Sequence, residues 1–225
     1  MSKKANQSSS LHLAPQPVLK IEKSERTRTE IINSALDFIW LNPFRDMTVN
    51  VLMAPTSAGR SAFYRYFKDL HEVMETLLDI LQEEIFEVAD PWFSRTGDPI
   101  SLLYETLAGL VRVGYQRGPI YRAFSDAAVS DMRFEEAWGQ FLGGFDNAVC
   151  SRIEADQSQG LIPSFDARPV AIALNRLDAS MLISAFGQHP RSEPEPIQDT
   201  LIRFWVSALY GSEWIGKKSS SLTRS

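Results

Sequence analysis

Apolar residues along the chain recur at helical spacing in one segment after another. From Ser24 to Leu41, Ile31, Ile32, Ala35, Leu36, Phe38 and Ile39 form such a run, and Asn42-Pro43 ends it. Thr48 can cap a short second helix through Met53, closed by Pro55, whose ring cannot donate the next helical hydrogen bond. A third begins near Gly59 and runs to Phe67. Asp69 with Glu72 has capping-box spacing and opens a long helix through about Ala89, before Asp90-Pro91. Further runs are expected at 98–116, 119–127, 130–158, 167–187 and 195–212, with turn signals at Gly97, Gly118, Gly160 to Pro163 and Pro190 to Pro196. No strand alternation and no Rossmann-type glycine fingerprint interrupts them. The pattern predicts an all-α chain of about nine helices, three short ones forming a unit carried on the longer ones.

The run at 167–187 is apolar on nearly every side: Val170, Ile172, Leu174, Leu177, Met181, Leu182, Ile183, Ala185 and Phe186. Such a helix needs cover all round, and a subunit interface supplies it better than one small domain can. The last helix adds a stripe of Ile197, Leu201, Phe204, Trp205 and Ala208, suited to the same four-helix interface of a homodimer. On the middle helices Trp92, Phe93, Leu103, Leu107, Leu110, Phe124, Trp138, Phe141 and Phe145 either fill a core or pave a ligand cavity. Trp205 is counted with the cavity as well as with the interface stripe. Asn175 and Asp178 stand three residues apart on an otherwise apolar helix, so each must find a polar partner. For Asn175 the expected partner is a ligand; for Asp178 a buried network with Arg176, Arg203 or backbone groups competes with that expectation.

Charge divides the chain. Ten of the 23 Lys and Arg, but five of the 28 Asp and Glu, lie in residues 1–68, which leaves about +5 there and about −10 in the rest. A basic first third on an acidic body is the footprint expected when one end of a protein meets phosphate. The stretch Lys20, Lys23, Arg26, Arg28 either follows a nucleic-acid backbone or is a solvated helix start, since Glu22, Glu25 and Glu30 are interleaved. One cysteine, Cys150, excludes an internal disulfide framework and is expected to be a buried small hydrophobe; with three scattered histidines it points to no metal site and no cofactor. No run approaches the roughly 18 consecutive apolar residues of a membrane span, and the first residues lack a signal peptide's apolar core, so a cytoplasmic protein without a membrane partner is expected. Residues 1–20 read as a disordered basic and polar arm, 21–68 as one domain, 69–215 as a second, and 216–225 as a disordered tail.

Residues 47–67 read as two short helices with a tight turn between them, a helix-turn-helix. On the second, Phe63 and Phe67 lie one turn apart and pack inward, while Arg60, Ser61, Tyr64 and Arg65 gather on the other side. Reading DNA needs that division: Arg and small hydroxyls meet base edges, and Tyr, Arg and backbone N–H groups meet phosphates. The Phe-Tyr-Arg-Tyr-Phe run at 63–67, Thr48-Val49 at the preceding helix start and the acidic-capped long helix downstream resemble the N-terminal signature of the TetR family of transcriptional regulators. Ala173-Leu174-Asn175 with Asp178, and the run from Asp199 to Trp205, resemble its ethionamide-resistance-repressor subgroup. The resemblance implies operator contacts from Thr48, Gly59, Arg60, Ser61, Tyr64, Arg65, Tyr66 and Lys68, the last offsetting Leu70, which stands where the family often has Lys. It implies an effector pocket involving Leu103, Leu107, Leu110, Phe141, Phe145, Asn175, Asp178 and Trp205, with dimerisation through the last two helices. In that subgroup both polar positions are asparagine, so Asp178 is a departure that should favour donors. The turn departs too, with Ser57 in place of the usual glycine and Gly59 in place of the usual serine, which leaves its geometry open.

The function expected is that of a ligand-responsive regulator, a repressor binding a pseudo-palindromic operator as a homodimer and released by a small hydrophobic effector. The alternative is a helical ligand-binding or accessory protein whose DNA binding is lost or altered. Catalysis is not expected: Asp131, Glu135 and Glu136 have no His or Cys at useful spacing in the sequence.

Overall fold

The computed structural model describes residues 23–94 and 97–211. The arm expected at 1–20 and the tail expected at 216–225 lie outside the described residues. Among those described there are eight α-helices and no strand: α1 Lys23–Leu41, α2 Val49–Met53, α3 Arg60–Tyr66, α4 Leu70–Ser94, α5 Pro99–Ala127, α6 Met132–Ser158, α7 Ala167–Phe186 and α8 Pro194–Leu209. A one-turn 3-10 helix, Phe44–Asp46, joins α1 to α2.

The caps follow the sequence closely. Thr48 accepts the Val51 N–H at the start of α2, and Asp69 accepts the Glu72 N–H ahead of α4. The Glu72 carboxylate reaches back to the N–H of Lys68, one residue earlier than in the usual reciprocal box. Asp98 caps α5 ahead of Pro99, whose missing N–H costs nothing at a first helical position.

Two helices outrun their expected ends. α4 continues through Pro91 to Ser94, because a proline so near the C-terminus forfeits one hydrogen bond in the last turns only. The two helices expected at 98–116 and 119–127 are one helix, α5, which passes through Gly118 and Pro119 without a turn. Pro119 has no N–H to give the carbonyl of Tyr115. The Arg191 guanidinium donates to that carbonyl instead, at 2.7 Å, and lies 3.8 Å from the centroid of the Tyr115 ring. The same repair occurs at the end of α1: Pro43 orphans the Ile39 carbonyl, and Arg122 of α5 donates to it at 2.6 Å.

Gly118 is a point of close approach, not a turn. A Cβ placed there would meet the Phe186 carbonyl oxygen at 2.2 Å, where α5 passes the end of α7. Gly118→Ala is expected to destabilise the fold by about 3 kcal/mol, since the obstruction is backbone and cannot rotate away. Chemical denaturation would show it, and an unchanged midpoint would mean that the two helices separate cheaply.

The core runs without a break from Ile31 in α1 to Leu209 in α8. α4 packs along α5, α5 against α7 and α8, and α6 against α4 and α7, while α1 rests on α4 and α5. α7 is long and apolar enough by length and composition to cross a membrane, but it carries Asn175, Arg176 and Asp178 mid-helix and lies against α5, α6 and α8. Cover all round was expected for α7. Instead Leu174, Leu182, Ala185 and Phe186 are buried within the chain, while Ala173, Ser180 and Ser184 face outward. On α8, Leu201 and Trp205 point into the core as well, leaving Phe204 and Ala208 of the expected interface stripe exposed and Ile197 half-buried. α5 and α6 cover the inner stripe of α7, and α5 and α7 that of α8, stripes that sequence periodicity alone assigned to a second subunit.

Candidate functional site

At one end of the molecule α3 presents a divided surface. Phe63 and Phe67 are fully buried, while Arg60, Ser61, Tyr64, Arg65 and Lys68 are exposed, Tyr64 at 55%. Thr48 and Gly59 are exposed at the starts of α2 and α3. Tyr66 is half-buried and packs against the core, so of these residues it turns furthest from solvent. Arg28 lies over the Phe67 ring at 5.2 Å and Arg26 pairs with Glu30, so these two basic residues of α1 already have partners.

In the middle of the helical body lies a cavity of about 60 Å³, room for a few water molecules. Leu103, Leu107, Leu110, Phe141, Phe145, Asn175, Asp178 and Trp205 all line it, joined by Trp92, Phe93, Tyr121 and Thr106. Phe124 and Trp138 do not: Phe124 is fully buried elsewhere in the core, and Trp138 stacks on the outer side of Phe141 at 5.1 Å.

Besides the Tyr121 hydroxyl, three polar side chains interrupt the apolar wall. Asp178 accepts a hydrogen bond from the Trp205 indole N–H at 2.9 Å, and burial pushes its carboxyl up to about 7 despite that bond. The Asn175 amide donates to Asp146 at 2.9 Å, and Arg176 grips the same carboxylate with two nitrogens at 3.1 and 2.9 Å. Thr106 is buried and its hydroxyl has no hydrogen-bond partner among the described residues. Both residues line the cavity as expected, but the buried ionic network weighed for Asp178 forms at Asn175 instead, and Asp178 meets the cavity without a cation. Arg176 is claimed by Asp146 and Arg203 is exposed, so neither reaches Asp178.

Residues 103–211 match the family model described as the C-terminal domain of the transcriptional regulator EthR. The HTH-type transcriptional regulator EthR of Mycobacterium tuberculosis is 28% identical over 196 residues, spanning 80% of this chain and 86% of that protein. EthR of Mycolicibacterium smegmatis is 24% identical over 193 residues, covering 83% and 87%. Among solved structures, a putative TetR-family transcriptional regulator from Syntrophomonas wolfei superposes with a TM-score of 0.71 at 17% identity, over 83% of this chain and 96% of that one. The chain is thus similar to TetR-family transcriptional regulators in fold and to EthR in sequence, and residues 103–211 match the EthR C-terminal domain.

Beside the TetR-family pattern that the sequence resembles, the turn between α2 and α3 is unusual, and the structure shows how it closes with Ser57 in place of a glycine. The Thr56 hydroxyl lies within hydrogen-bond distance of the carbonyls of Met53 and Ala58, at 2.8 and 3.0 Å, and donates its one proton to either. Ser57 gives both its N–H and its hydroxyl to Glu30 of α1, at 3.1 and 2.7 Å. Those two bonds, with Arg26, hold the Glu30 carboxyl below its ordinary range. No non-glycine residue among those described has positive φ, so the turn needs no left-handed residue. Glu30 was expected only to dilute a basic stretch; 27 residues of separation hid its partner.

Three further contacts fix the start of α4 and the end of α1 against the rest of the helical body. Asp131, which has no His or Cys nearby in sequence, meets His71 at 2.7 Å, joining the start of α6 to the start of α4. Arg133 donates to Asp69 and to Glu75 in the same place, at distances of 2.9 and 2.5 Å. The His71 hydrogen bond is the first cause holding the Asp131 carboxyl low, and no nucleophile or metal-ligand cluster accompanies the pair among the described residues. Arg122 ties α5 to α1. Sequence spacing carries no signal for any of the three.

Proposed function

We propose that the protein is a TetR-family repressor that binds a pseudo-palindromic operator as a homodimer and leaves it when a small hydrophobic effector enters the cavity. The observation that carries the reading is α4 itself. It is separated from the end of α3 by three residues and, in its own last two turns, supplies Val88 and Trp92 to the cavity wall. One rod therefore carries both surfaces. A space of about 60 Å³ is far below the roughly 300 Å³ or more that a drug-sized ligand occupies, so filling it must move a wall. The Arg133 and His71 contacts bind the start of α6 to the start of α4, which favours transmission of that movement to α3.

Dimerisation is read from the outward faces of α7 and α8, where Ala173, Leu177, Ser180 and Met181 on one helix and Phe204 and Ala208 on the other are partly or fully exposed. Small residues let two helices approach closely, and Phe204 supplies the apolar anchor, 51% exposed in the single chain. Two-fold symmetry then sets two α3 helices on two half-sites. A regulator working on DNA in this way is a cytoplasmic protein.

The test is fluorescence anisotropy against DNA fragments from around the protein's own gene, alongside sedimentation. Wild type is expected to sediment as a dimer at micromolar concentration and to bind one fragment specifically. Phe204→Glu is expected to sediment as a monomer and bind that fragment at least about tenfold more weakly, since each half-site contact then stands alone. A wild type that dimerises but binds none of the fragments would favour an accessory protein over a repressor.

A further inference from the structure

Within the effector reading above, on which it rests, we infer that the cavity selects a hydrophobic amine whose ammonium is held by the Asp178 carboxylate. Apart from the hydroxyls of Thr106 and Tyr121, which can donate or accept, the free polar atoms of the wall are acceptors. Asp178 is more than nine-tenths buried, and the hydrogen bond it accepts from Trp205 occupies Oδ1 and leaves Oδ2. Thr106, also more than nine-tenths buried, brings an unpartnered hydroxyl to the same cavity. The Asn175 amide nitrogen is committed to Asp146, which leaves its carbonyl oxygen as the end able to serve a ligand. A buried polar group without a partner is costly, and a carboxylate without a cation more so, hence a guest bringing several N–H donors and a positive charge satisfies all three.

The remaining wall suits the same guest. Lys, Arg and His are absent from the lining, so nothing competes for Asp178 or attracts a ligand carboxylate. Tyr121, Phe141, Phe145 and Trp205 present aromatic rings, whose faces attract an ammonium, while leucines accept an apolar body. An ammonium group is about the size of a water molecule and fits the existing space, so it is the apolar body that must push the wall aside.

The ionisable groups around Asp178 are few. Tyr121 on α5 is the one whose hydroxyl it perturbs, and burial together with the Asp178 charge holds that phenol protonated. The α4 residues of the wall cannot ionise, Asp146 on α6 is paired with Arg176, and α8 contributes Trp205. Asp178 is thus the group whose charge changes near neutrality, and amine affinity should rise with pH as its proton leaves.

The experiment uses the full chain and three probes of matched size, phenethylamine, 2-phenylethanol and phenylacetate, with binding measured by calorimetry at pH 6 and 8 in the absence of DNA. Phenethylamine is expected to bind at least about tenfold tighter than the alcohol at pH 8, with phenylacetate weaker than both. Between pH 6 and 8 the amine should gain about tenfold, the alcohol almost nothing. Asp178→Asn, which keeps the shape and can still accept from Trp205, should bring amine and alcohol level. Equal binding of amine and alcohol by wild type, a preference that survives Asp178→Asn, or no binding of any probe would overturn the assignment. Operator release is scored separately. An alcohol that binds as well as the amine and releases DNA removes the amine preference but leaves the effector cavity, whereas Asp178-dependent amine binding without release upholds the amine site and removes the repressor switch.

Discussion

Replacing Tyr64 and Arg65 together by Ala is expected to weaken operator binding by about 100-fold or more while leaving folding and dimerisation intact. Each side chain stands on the exposed face of α3, opposite Phe63 and Phe67, which carry the packing of that helix. Contacts of this kind contribute about 1–3 kcal/mol each when they meet a base edge or a phosphate, and a dimer loses two sets at once. Their removal opens no cavity. Tyr64 does rest its ring edge on Phe63 at 5.2 Å, so a stability cost of about 0.5 kcal/mol is expected in thermal denaturation. Because Arg65 is a charge that releases counterions on meeting phosphate, the variant's residual binding should also depend less steeply on salt. Normal affinity in the double variant would move the DNA-reading surface away from this face of α3.

The division of α3 into two faces was legible because helical periodicity acts within one turn. Phe63 and Phe67 are four residues apart, and no distant residue is needed to decide which way they point. The caps at Thr48, Asp69 and Asp98 were readable for the same reason. What was not legible depends on partners far along the chain. Gly118-Pro119 is a strong turn signal in sequence, and what overrides it is Arg191, which satisfies the carbonyl that Pro119 orphans. The Pro43 break is likewise stabilised by Arg122, and the unusual turn by Glu30. α7 misled for another reason: an apolar stripe shows that a face is covered but not by what, and α5 and α6 cover much of it before any second subunit is needed. The polar pair shows the same limit. Spacing placed Asn175 and Asp178 on one side of α7, but it was Asp146 of α6, 29 residues from Asn175, that took Asn175 and Arg176 and left Asp178 without a cation.

Asp178→Asn is expected to stabilise the ligand-free protein, and to do so in a pH-dependent way. The carboxyl titrates at its ordinary 3.8 when the chain is unfolded and at about 7 when folded, because burial disfavours the charged form and no cation offsets it. The folded state therefore holds a proton that the unfolded state has lost between those two values, and stability falls as pH rises through that window. Below about pH 4 both states are protonated and the site contributes nothing. Above about pH 7 the full cost of burying the carboxylate is present, roughly 4 kcal/mol for a gap of this size. Asparagine keeps the oxygen that accepts from Trp205 and cannot ionise, so the variant escapes this cost. Its advantage over wild type should thus grow by roughly 4 kcal/mol between pH 4 and pH 8, on the order of 10 °C in Tm for a chain of this length. Thermal melts of both proteins across that range decide the matter, and a constant difference would mean that Asp178 ionises as an ordinary carboxylate, with solvent or a cation reaching it. Saturating amine supplies that missing cation, so adding phenethylamine at pH 8 should close most of the gap by stabilising wild type alone.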